Sequence, residues 1–290
     1  MKVSVTVLKL LALASVTDAF LPSNQNHRQI VSTSTSQLFS DTSVSEASTE
    51  SSKSSVKSLG LLTFDLDDTL WDNKPTITNA EIKTRKWIED RVGAIEWGDL
   101  NDFLQLRETL IRKDKSIAWD ISQLRIEIFK EKIKGLVSTD DITKLAEDAF
   151  AYFLKKRHEI ELFPGVEDAL KVLSENYILG VLTNGNADIY KLSIGKYFEF
   201  SISSFEAQDS KPSKSHFELA KSRLPNLKYS EMLHIGDHQI NDIFGAHSLG
   251  IKALWFNNTK AQWEQDFEKP DQFYNWYSLA KIIEEKYESR

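Results

Sequence analysis

The chain of 290 residues contains no cysteine, which excludes disulfide bonds, thiolate catalysis and cysteine-ligated zinc. Its six histidines include no close pair that resembles a metal-binding motif. The net charge is −7, with +1 in residues 1–59 and −8 in the rest, which argues against nucleic acid as a partner. A long apolar run is also lacking. The one near the N-terminus is short and interrupted, so stable membrane insertion is not expected.

The N-terminal part differs in composition from the rest of the chain. Residues 1–19 have a charged start, an apolar run and small residues before a possible cleavage after Ala19, which predicts a signal-like segment. Residues 20–58 are rich in serine and threonine and hold too little apolar surface to fold alone, so disorder is predicted. With Phe20 directly after the signal-like run, the leader resembles the bipartite plastid presequences of algae, which implies import into a plastid. Secretion with a flexible linker is the alternative.

Two carboxylates follow the apolar run 59–64, which we predict to be a short buried strand. Asp65 and Asp67 are separated by one residue, and residues i and i+2 of a strand point to the same face, so both can reach a common point. Two acids placed in this way suit a divalent cation, a nucleophile and a proton donor. With Thr69 they form the pattern Asp-x-Asp-x-Thr, which by itself is also compatible with an acidic turn that caps a helix.

The rest of the chain alternates between helical and strand patterns. Apolar residues recur at helical spacing in four segments from about 78 to 158 without a strand signal, which predicts a bundle-like insertion. Short apolar runs then predict strands at 178–182, 232–235 and 251–255, separated by helices. This order implies an α/β fold with a parallel sheet whose ligands lie at the carboxyl ends of the strands.

Polar residues stand at those strand ends. Thr183 supplies a hydroxyl, and the turn at Asn184 exposes backbone N–H groups, which suits an oxyanion such as phosphate. Lys211, just before a predicted helix at 215–224, adds a positive charge. Each has an ordinary alternative, namely a turn or a solvated charge, but their order along the chain favours one shared site.

Acidic residues recur after the third predicted strand. Asp237 and Asp242 would complete an all-oxygen Mg²⁺ shell with Asp65. The alternative for Asp237 is a helix cap.

In this order the residues resemble the four motifs of the haloacid dehalogenase (HAD) superfamily: Asp65, Asp67 and Thr69; Thr183; Lys211; Asp237 and Asp242. The resemblance covers residues 59–290. It implies a Rossmann-like catalytic core formed by 59–77 and 159–290, with an α-helical cap at 78–158 inserted after the first motif.

The resemblance also implies a role for each residue. Asp65 is then the nucleophile that forms an aspartyl-phosphate, and Asp67 is the acid and base that protonates the leaving oxygen and later activates water. Thr69, Thr183, Asn184 and Lys211 would bind the phosphate. Mg²⁺ would be held by the carboxylates of Asp65 and Asp237 and the backbone carbonyl of Asp67, while Asp242 would orient bound water or Lys211.

Longer sequence segments narrow the assignment to one group within this superfamily. Residues 64–73, 183–187 and 196–200 are similar to bacterial flavin-mononucleotide (FMN) phosphatases, which implies FMN or 5-amino-6-(5-phospho-D-ribitylamino)uracil as the small phosphorylated substrate. Sugar phosphates, nucleoside monophosphates and phosphoglycolate stay open. Four residues are candidates for contacting a planar ring, although tryptophans of this kind also pack cap cores: Trp71, Trp87, Trp119 and Arg125.

Two further hypotheses come from other classes of function. A relative that has lost catalysis would bind a ligand without turnover, but every motif residue is present. A dehalogenase would not need a proton donor two residues after its nucleophile, so Asp67 favours phosphoester hydrolysis. The sequence gives no indication of an oligomeric state.

Overall fold

The computed structural model describes residues 58–288. The predicted signal-like and plastid-targeting features lie outside these residues, as does all of the predicted disordered segment except Ser58. Ser58 itself is held in place, because its backbone N–H donates to a carboxylate oxygen of Glu288 at 2.6 Å. Within the described part of the chain, no helix has both the length and the apolar character that crossing a bilayer requires.

A six-stranded parallel sheet forms the centre of the molecule, in the order β3-β2-β1-β4-β5-β6. Its strands are β1 (Leu61–Phe64), β2 (Ile178–Thr183), β3 (Phe200–Ser203), β4 (Met232–Gly236), β5 (Lys252–Phe256) and β6 (Asp271–Phe273). Strand β1 lies between β2 and β4, with Leu61 opposite Ile178 on one side and Met232 on the other. All four residues of β1 are buried, as expected for a continuous apolar run in a parallel sheet.

The four predicted strands agree with the structure to within two residues at their ends, but two strands were missed. Strand β3 alternates between buried and half-buried residues, and β6 has only three residues, of which Phe273 alone is buried. Such short, partly polar segments at or near the sheet edge carry little hydrophobic signal.

Helices cover both faces of the sheet. On one face, α5 (Val166–Ser174) and α9 (Leu279–Ile283) contribute to a large apolar cluster that includes Phe64 and Leu233. On the other face, α7 (Ser215–Arg223) and α8 (Gly245–His247) pack over Leu61 and Leu182. A four-residue helix, α6 (Ser204–Ala207), follows β3. This three-layer arrangement is the predicted Rossmann-like core.

Four helices form a separate layer above the carboxyl ends of the strands: α1 (Asn73–Val92), α2 (Leu100–Lys113), α3 (Ile121–Ile133) and α4 (Thr139–Arg157). They enclose two apolar clusters of their own, one around Phe129 and Ala149 and one around Leu110 and Leu124. The predicted helical cap is therefore present between β1 and β2. We refer to residues 73–157 as the cap.

The cap begins at Asn73 rather than near residue 78. Pro75 lies in the first turn of α1, where a missing N–H costs nothing because that N–H has no partner within the helix. Asp72 caps the helix by accepting from the backbone N–H of Lys74 at 3.1 Å, and Asp68 accepts from that of Asn73 at 2.8 Å. These local contacts start the helix where the apolar pattern has not yet begun.

Candidate active site

The residues predicted for catalysis meet at one edge of the sheet. Asp65 follows β1, Thr183 ends β2 and Asp237 follows β4, and these three strands are neighbours in the sheet. A cavity of about 150 Å³ opens there beneath the cap. Seven of the eight predicted site residues line it: Asp65, Asp67, Thr183, Asn184, Lys211, Asp237 and Asp242. Their proximity follows from the parallel sheet, whereas their chemical roles stay predictions.

Lys211 joins two of the carboxylates. Its Nζ donates to Oδ1 of Asp65 at 2.7 Å, to Oδ1 of Asp242 at 2.6 Å and to the carbonyl oxygen of Leu182 at 2.6 Å. All three ammonium protons are thereby used, and the side chain is only 1% exposed. Of the two roles predicted for Asp242, the structure shows the orientation of Lys211.

The side chains of two residues predicted to bind phosphate, Thr69 and Asn184, form hydrogen bonds with other site residues. Thr69 is buried behind the cavity wall and donates its hydroxyl to Oδ1 of Asp237 at 3.0 Å, so it positions that carboxylate. The amide side chain of Asn184 accepts from the backbone N–H of Lys211 at 2.7 Å and donates to its carbonyl oxygen at 3.0 Å. Both side chains therefore hold other site residues, while the phosphate-binding roles of Thr69 and of the backbone N–H groups at Asn184 stay predictions.

Burial and like charges set the ionisation of the acids. Burial raises the pKa of Asp65 to about 8, an effect that Asp242 reinforces and Lys211 opposes. The pKa of Asp237 is raised well above its usual range by burial and by the nearby Asp242 and Asp65. Burial alone would raise the pKa of Asp242 too, but Lys211 and a hydrogen bond from His234 lower it. The three carboxyl groups, of which Asp65 and Asp242 are buried and Asp237 is half-buried, have one ammonium group among them, so ionisation of all three would leave an excess of negative charge.

This excess of charge fits a divalent cation. Oxygen atoms of Asp65, Asp237 and Asp242 all lie within 4.8 Å of one another. Asp242 already accepts from Lys211, His234 and the backbone of His238, so Asp65 and Asp237 are the better ligands. Asn241, in the cavity wall, adds a buried Oδ1 that has no hydrogen-bond partner among residues 58–288, and an oxygen in that state suits a cation or its water. The donor set, all of it oxygen, matches Mg²⁺.

Asp67 is fixed from two sides. Its Oδ1 accepts from Nε1 of Trp71 at 3.0 Å and is paired with the guanidinium of Arg157. Its Oδ2 lies against Gly185, where a Cβ would come within 2.7 Å. The backbone N–H of Gly185 donates to the hydroxyl of Thr183 at 2.9 Å, which keeps this turn beside Asp67.

The cap closes the cavity with a mainly apolar wall. Its side chains come from α1 to α4 and are Ile77, Phe103, Ile121, Leu124, Ile128 and Phe153. Arg125 lies among them, with its guanidinium 3.9 Å from the centre of the Phe153 ring and paired with Glu81. Arg157, the last residue of α4, completes the wall next to Asp67.

Of the four aromatic and arginine candidates, only Arg125 lines the cavity. Trp71 is buried behind Asp67, and Trp87 stacks on Tyr152 with 5.6 Å between ring centres. Trp119 likewise lies outside the wall. For Trp71 and Trp87, structural packing is the correct interpretation.

The wall residues that sequence reasoning missed include Phe103, Phe153, Arg157 and Asn241. The two phenylalanines lie at helical spacing and could not be told from core residues. Arg157 follows Lys155 and Lys156, as basic residues commonly do at a helix C-terminus. Asn241 lies between two predicted aspartates, and that position was the one available signal.

Comparison with known proteins agrees with this geometry. Residues 59–250 match the family model of the haloacid dehalogenase-like hydrolases. The chain therefore belongs to this family of hydrolases, as its four motifs predicted.

Particular relatives are also similar. Escherichia coli (strain K12) 5-amino-6-(5-phospho-D-ribitylamino)uracil phosphatase YigB is 31% identical over 198 residues, which cover 68% of this chain and 83% of that protein. The structure of 2-haloacid dehalogenase from Pseudomonas syringae pv. Tomato DC3000 has a TM-score of 0.74 and 32% identity, covering 78% of this chain and 99% of that one. The magnesium-bound putative HAD-hydrolase YfnB of Bacillus subtilis has a TM-score of 0.54 at 19% identity, covering 78% and 98%, and shares the fold.

Proposed function

We propose that this protein is a Mg²⁺-dependent phosphomonoester hydrolase that acts through an aspartyl-phosphate. The observation that carries the proposal is the placement of Asp67. It opens onto the same cavity as Asp65, and Trp71 and Arg157 hold one of its oxygens. A carboxyl group fixed beside the nucleophile is needed to protonate an alkoxide leaving group.

Hydrolysis takes two steps. A carboxylate oxygen of Asp65 attacks phosphorus while the bond from phosphorus to the leaving oxygen breaks, and Asp67 transfers its proton to that oxygen. Asp67, now a carboxylate, takes a proton from water as the water oxygen attacks phosphorus, and the phosphorus–Asp65 bond breaks. Phosphate and both acids in their starting forms result.

Lys211 and Thr183 stabilise the negative charge on the transferring group. Lys211 contacts Oδ1 of Asp65 at 2.7 Å, so its ammonium lies next to the site of attack. When bound by Asp65 and Asp237, Mg²⁺ would supply further electrostatic stabilisation of the phosphoryl oxygens. The same cation would oppose the effect of burial, which together with the nearby Asp242 raises the pKa of Asp65 to about 8.

For the substrate we propose 5-amino-6-(5-phospho-D-ribitylamino)uracil, FMN or both. The similar Escherichia coli protein carries the name of a phosphatase for the first of these. The apolar wall with Phe103 and Phe153 suits a planar ring, and the guanidinium of Arg125 is stacked on Phe153. A phosphatase for another small metabolite is the alternative.

Phosphate release from a panel of metabolites tests the proposal. The panel contains the two flavin-related substrates, nucleoside monophosphates, sugar phosphates and phosphoglycolate, each with Mg²⁺ or with a chelator. Wild-type protein should release phosphate only with the cation, and Asp65→Asn should lose at least about a thousandfold in rate because the covalent route is gone. Equal release by wild type and Asp65→Asn would contradict the mechanism. A preference for other substrates would contradict the substrate assignment alone.

The similar Pseudomonas structure makes dehalogenation a second candidate. Displacement of a halide requires no proton, so Asp67→Ala should leave halide release from 2-haloacids nearly unchanged. The same variant should abolish phosphate release from alkyl phosphates. Halide release by wild type without phosphate release would favour the dehalogenase.

We also propose that residues 1–58 direct import into a plastid, because Phe20 follows the signal-like run. A fluorescent reporter fused to this leader should enter the plastid of an alga with a secondary plastid. The matched control is Phe20→Ala, which should leave the reporter outside. Export of both fusions from the cell would favour secretion.

A further inference from the structure

Arg157 is the cap residue that contacts Asp67. It is the last residue of α4, its side chain is only 1% exposed, and it lines the cavity. The guanidinium is paired with Asp67, and its carbon atom lies 5.7 Å from the centre of the Trp71 ring. The positive charge of Arg157 is therefore buried next to Asp67, the proposed proton donor.

The hydrogen bonds of this guanidinium are incomplete. One nitrogen, Nη2, donates to Oδ1 of Asp67, while Nε and Nη1 have no partner within residues 58–288 although both are buried. Buried donors on a charged group normally have acceptors, because leaving them unpaired costs free energy. The other cations of the wall differ, since Lys211 uses all three protons and Arg125 is paired with Glu81.

We propose that Nε and Nη1 of Arg157 bind oxygen atoms of the leaving group, so that Arg157 selects phosphate esters of polyhydroxylated chains. The inference rests on the proposed phosphatase function. Phosphate must lie at Asp65 and Lys211, and the leaving oxygen must lie beside Asp67, because Asp67 protonates it. Arg157 contacts Asp67, so the first carbons of the leaving group and their hydroxyl groups pass next to its guanidinium.

The same residue positions Asp67. Trp71 and Arg157 both donate to Oδ1, which leaves Oδ2 on the side of the Gly185 turn. A lysine at position 157 would keep the positive charge near Asp67 but would lose the forked donors. Because any substitution of Arg157 also alters the contact with Asp67, selection of the leaving group is read from a ratio of two esters, in which the effect on Asp67 cancels.

Two esters of equal chain length test the proposal, namely ribitol 5-phosphate and pentyl phosphate, with kcat and KM measured for each. Wild type should prefer ribitol 5-phosphate. In Arg157→Lys and Arg157→Met the ratio of the two kcat/KM values should fall about tenfold, as expected for the loss of hydrogen bonds to a charged donor. Both variants should also lower kcat on each ester, because Arg157 helps to hold Asp67, so the ratio alone reports selection of the leaving group. Lys156→Met, next to Arg157 but paired with Glu159 outside the cavity, should keep the wild-type ratio.

An unchanged ratio in both Arg157 variants would overturn the proposal, even if both rates fell together, because a purely structural residue would affect the two esters equally. If Arg157→Met does not fold, the ratio for Arg157→Lys decides alone. p-Nitrophenyl phosphate, whose leaving group needs little protonation, serves as the activity control. If wild type released no more phosphate from it than Asp65→Asn, the phosphatase function and this proposal would both fail.

Discussion

Hydrogen bonds from neighbouring side chains position the acids of the candidate site. Lys211 fixes Asp65 and Asp242, Thr69 fixes Asp237, and Trp71 fixes Asp67. The sequence predicted which acids meet at the edge of the sheet, because acids that follow buried strands are conspicuous. It did not predict that Thr69 and Asn184 would act as supports, since a hydroxyl or an amide can face phosphate or protein equally well.

Gly185 is required by the close approach of its turn to Asp67. A Cβ at this position would lie 2.7 Å from Oδ2 of Asp67 and 3.2 Å from the hydroxyl of Thr183. We expect Gly185→Ala to displace Asp67 and lower kcat on alkyl phosphates about a hundredfold. The melting temperature should change little, because the turn borders the cavity. Wild-type kcat in a folded variant would contradict this reading of the turn.

His216 should make the protein sensitive to acid. It is fully buried in α7, and burial, aided by the charge of Lys211, lowers its pKa to about 3. Between pH 6.5 and 3 the unfolded chain binds a proton that the folded protein does not, so this residue lowers stability as the pH falls.

We expect the free energy of unfolding to lose about 1.4 kcal/mol per pH unit below 6.5 through His216. Urea unfolding from pH 7.5 to 4.5 measures this slope in wild type and in His216→Gln, which cannot titrate. The variant should have the shallower slope, while the exposed His247→Gln should match wild type. Equal slopes for wild type and His216→Gln would show that His216 does not govern acid sensitivity.

Secondary-structure elements followed local rules where their own residues decide the conformation. Strand β1 was predictable because it is buried on both faces and is apolar except for Thr63. Helix α1 began earlier than expected, because Pro75 is tolerated in a first turn that Asp72 caps. Strand β6 was missed because its pairing with β5, rather than its own composition, makes it a strand.

Helix α2 offers a test at this scale, since it carries Phe103 of the cavity wall. Asp99 caps it by accepting from the backbone N–H groups of Asn101 and Asp102 at 2.9 and 3.2 Å. Asp99→Ala should cost about 1 kcal/mol of stability and speed amide hydrogen exchange in α2. Asp140→Ala is the control, because Asp140 lies in the first turn of α4 but is not its N-cap residue. Equally fast exchange of α2 in both variants would contradict a specific role of Asp99 as its N-cap residue.

The whole molecule places its acids together without enough positive charge to balance them. Asp65, Asp237 and Asp242 meet only because β1 and β4 are neighbours in the sheet. Binding a divalent cation should relieve this repulsion.

We expect Mg²⁺ at about a hundred times its dissociation constant to stabilise the fold by roughly 2.7 kcal/mol, which corresponds to about 5–10 °C in melting temperature. Calorimetry with Mg²⁺ and with a chelator measures the shift. Asp237→Asn, which removes one proposed ligand, should show a much smaller shift. A shift of wild-type size in that variant would place the cation elsewhere.

The sequence by itself determined the family, the order of the motifs and the division into core and cap, because these depend on residue types and spacing along the chain. The tertiary structure alone decided which side chains line the cavity. Phe103, Phe153 and Arg157 come from different cap helices, and nothing in their local sequence separates a cavity wall from a helix core. That distinction depends on which helix face meets empty space, and only the packing of the cap over the sheet creates this space.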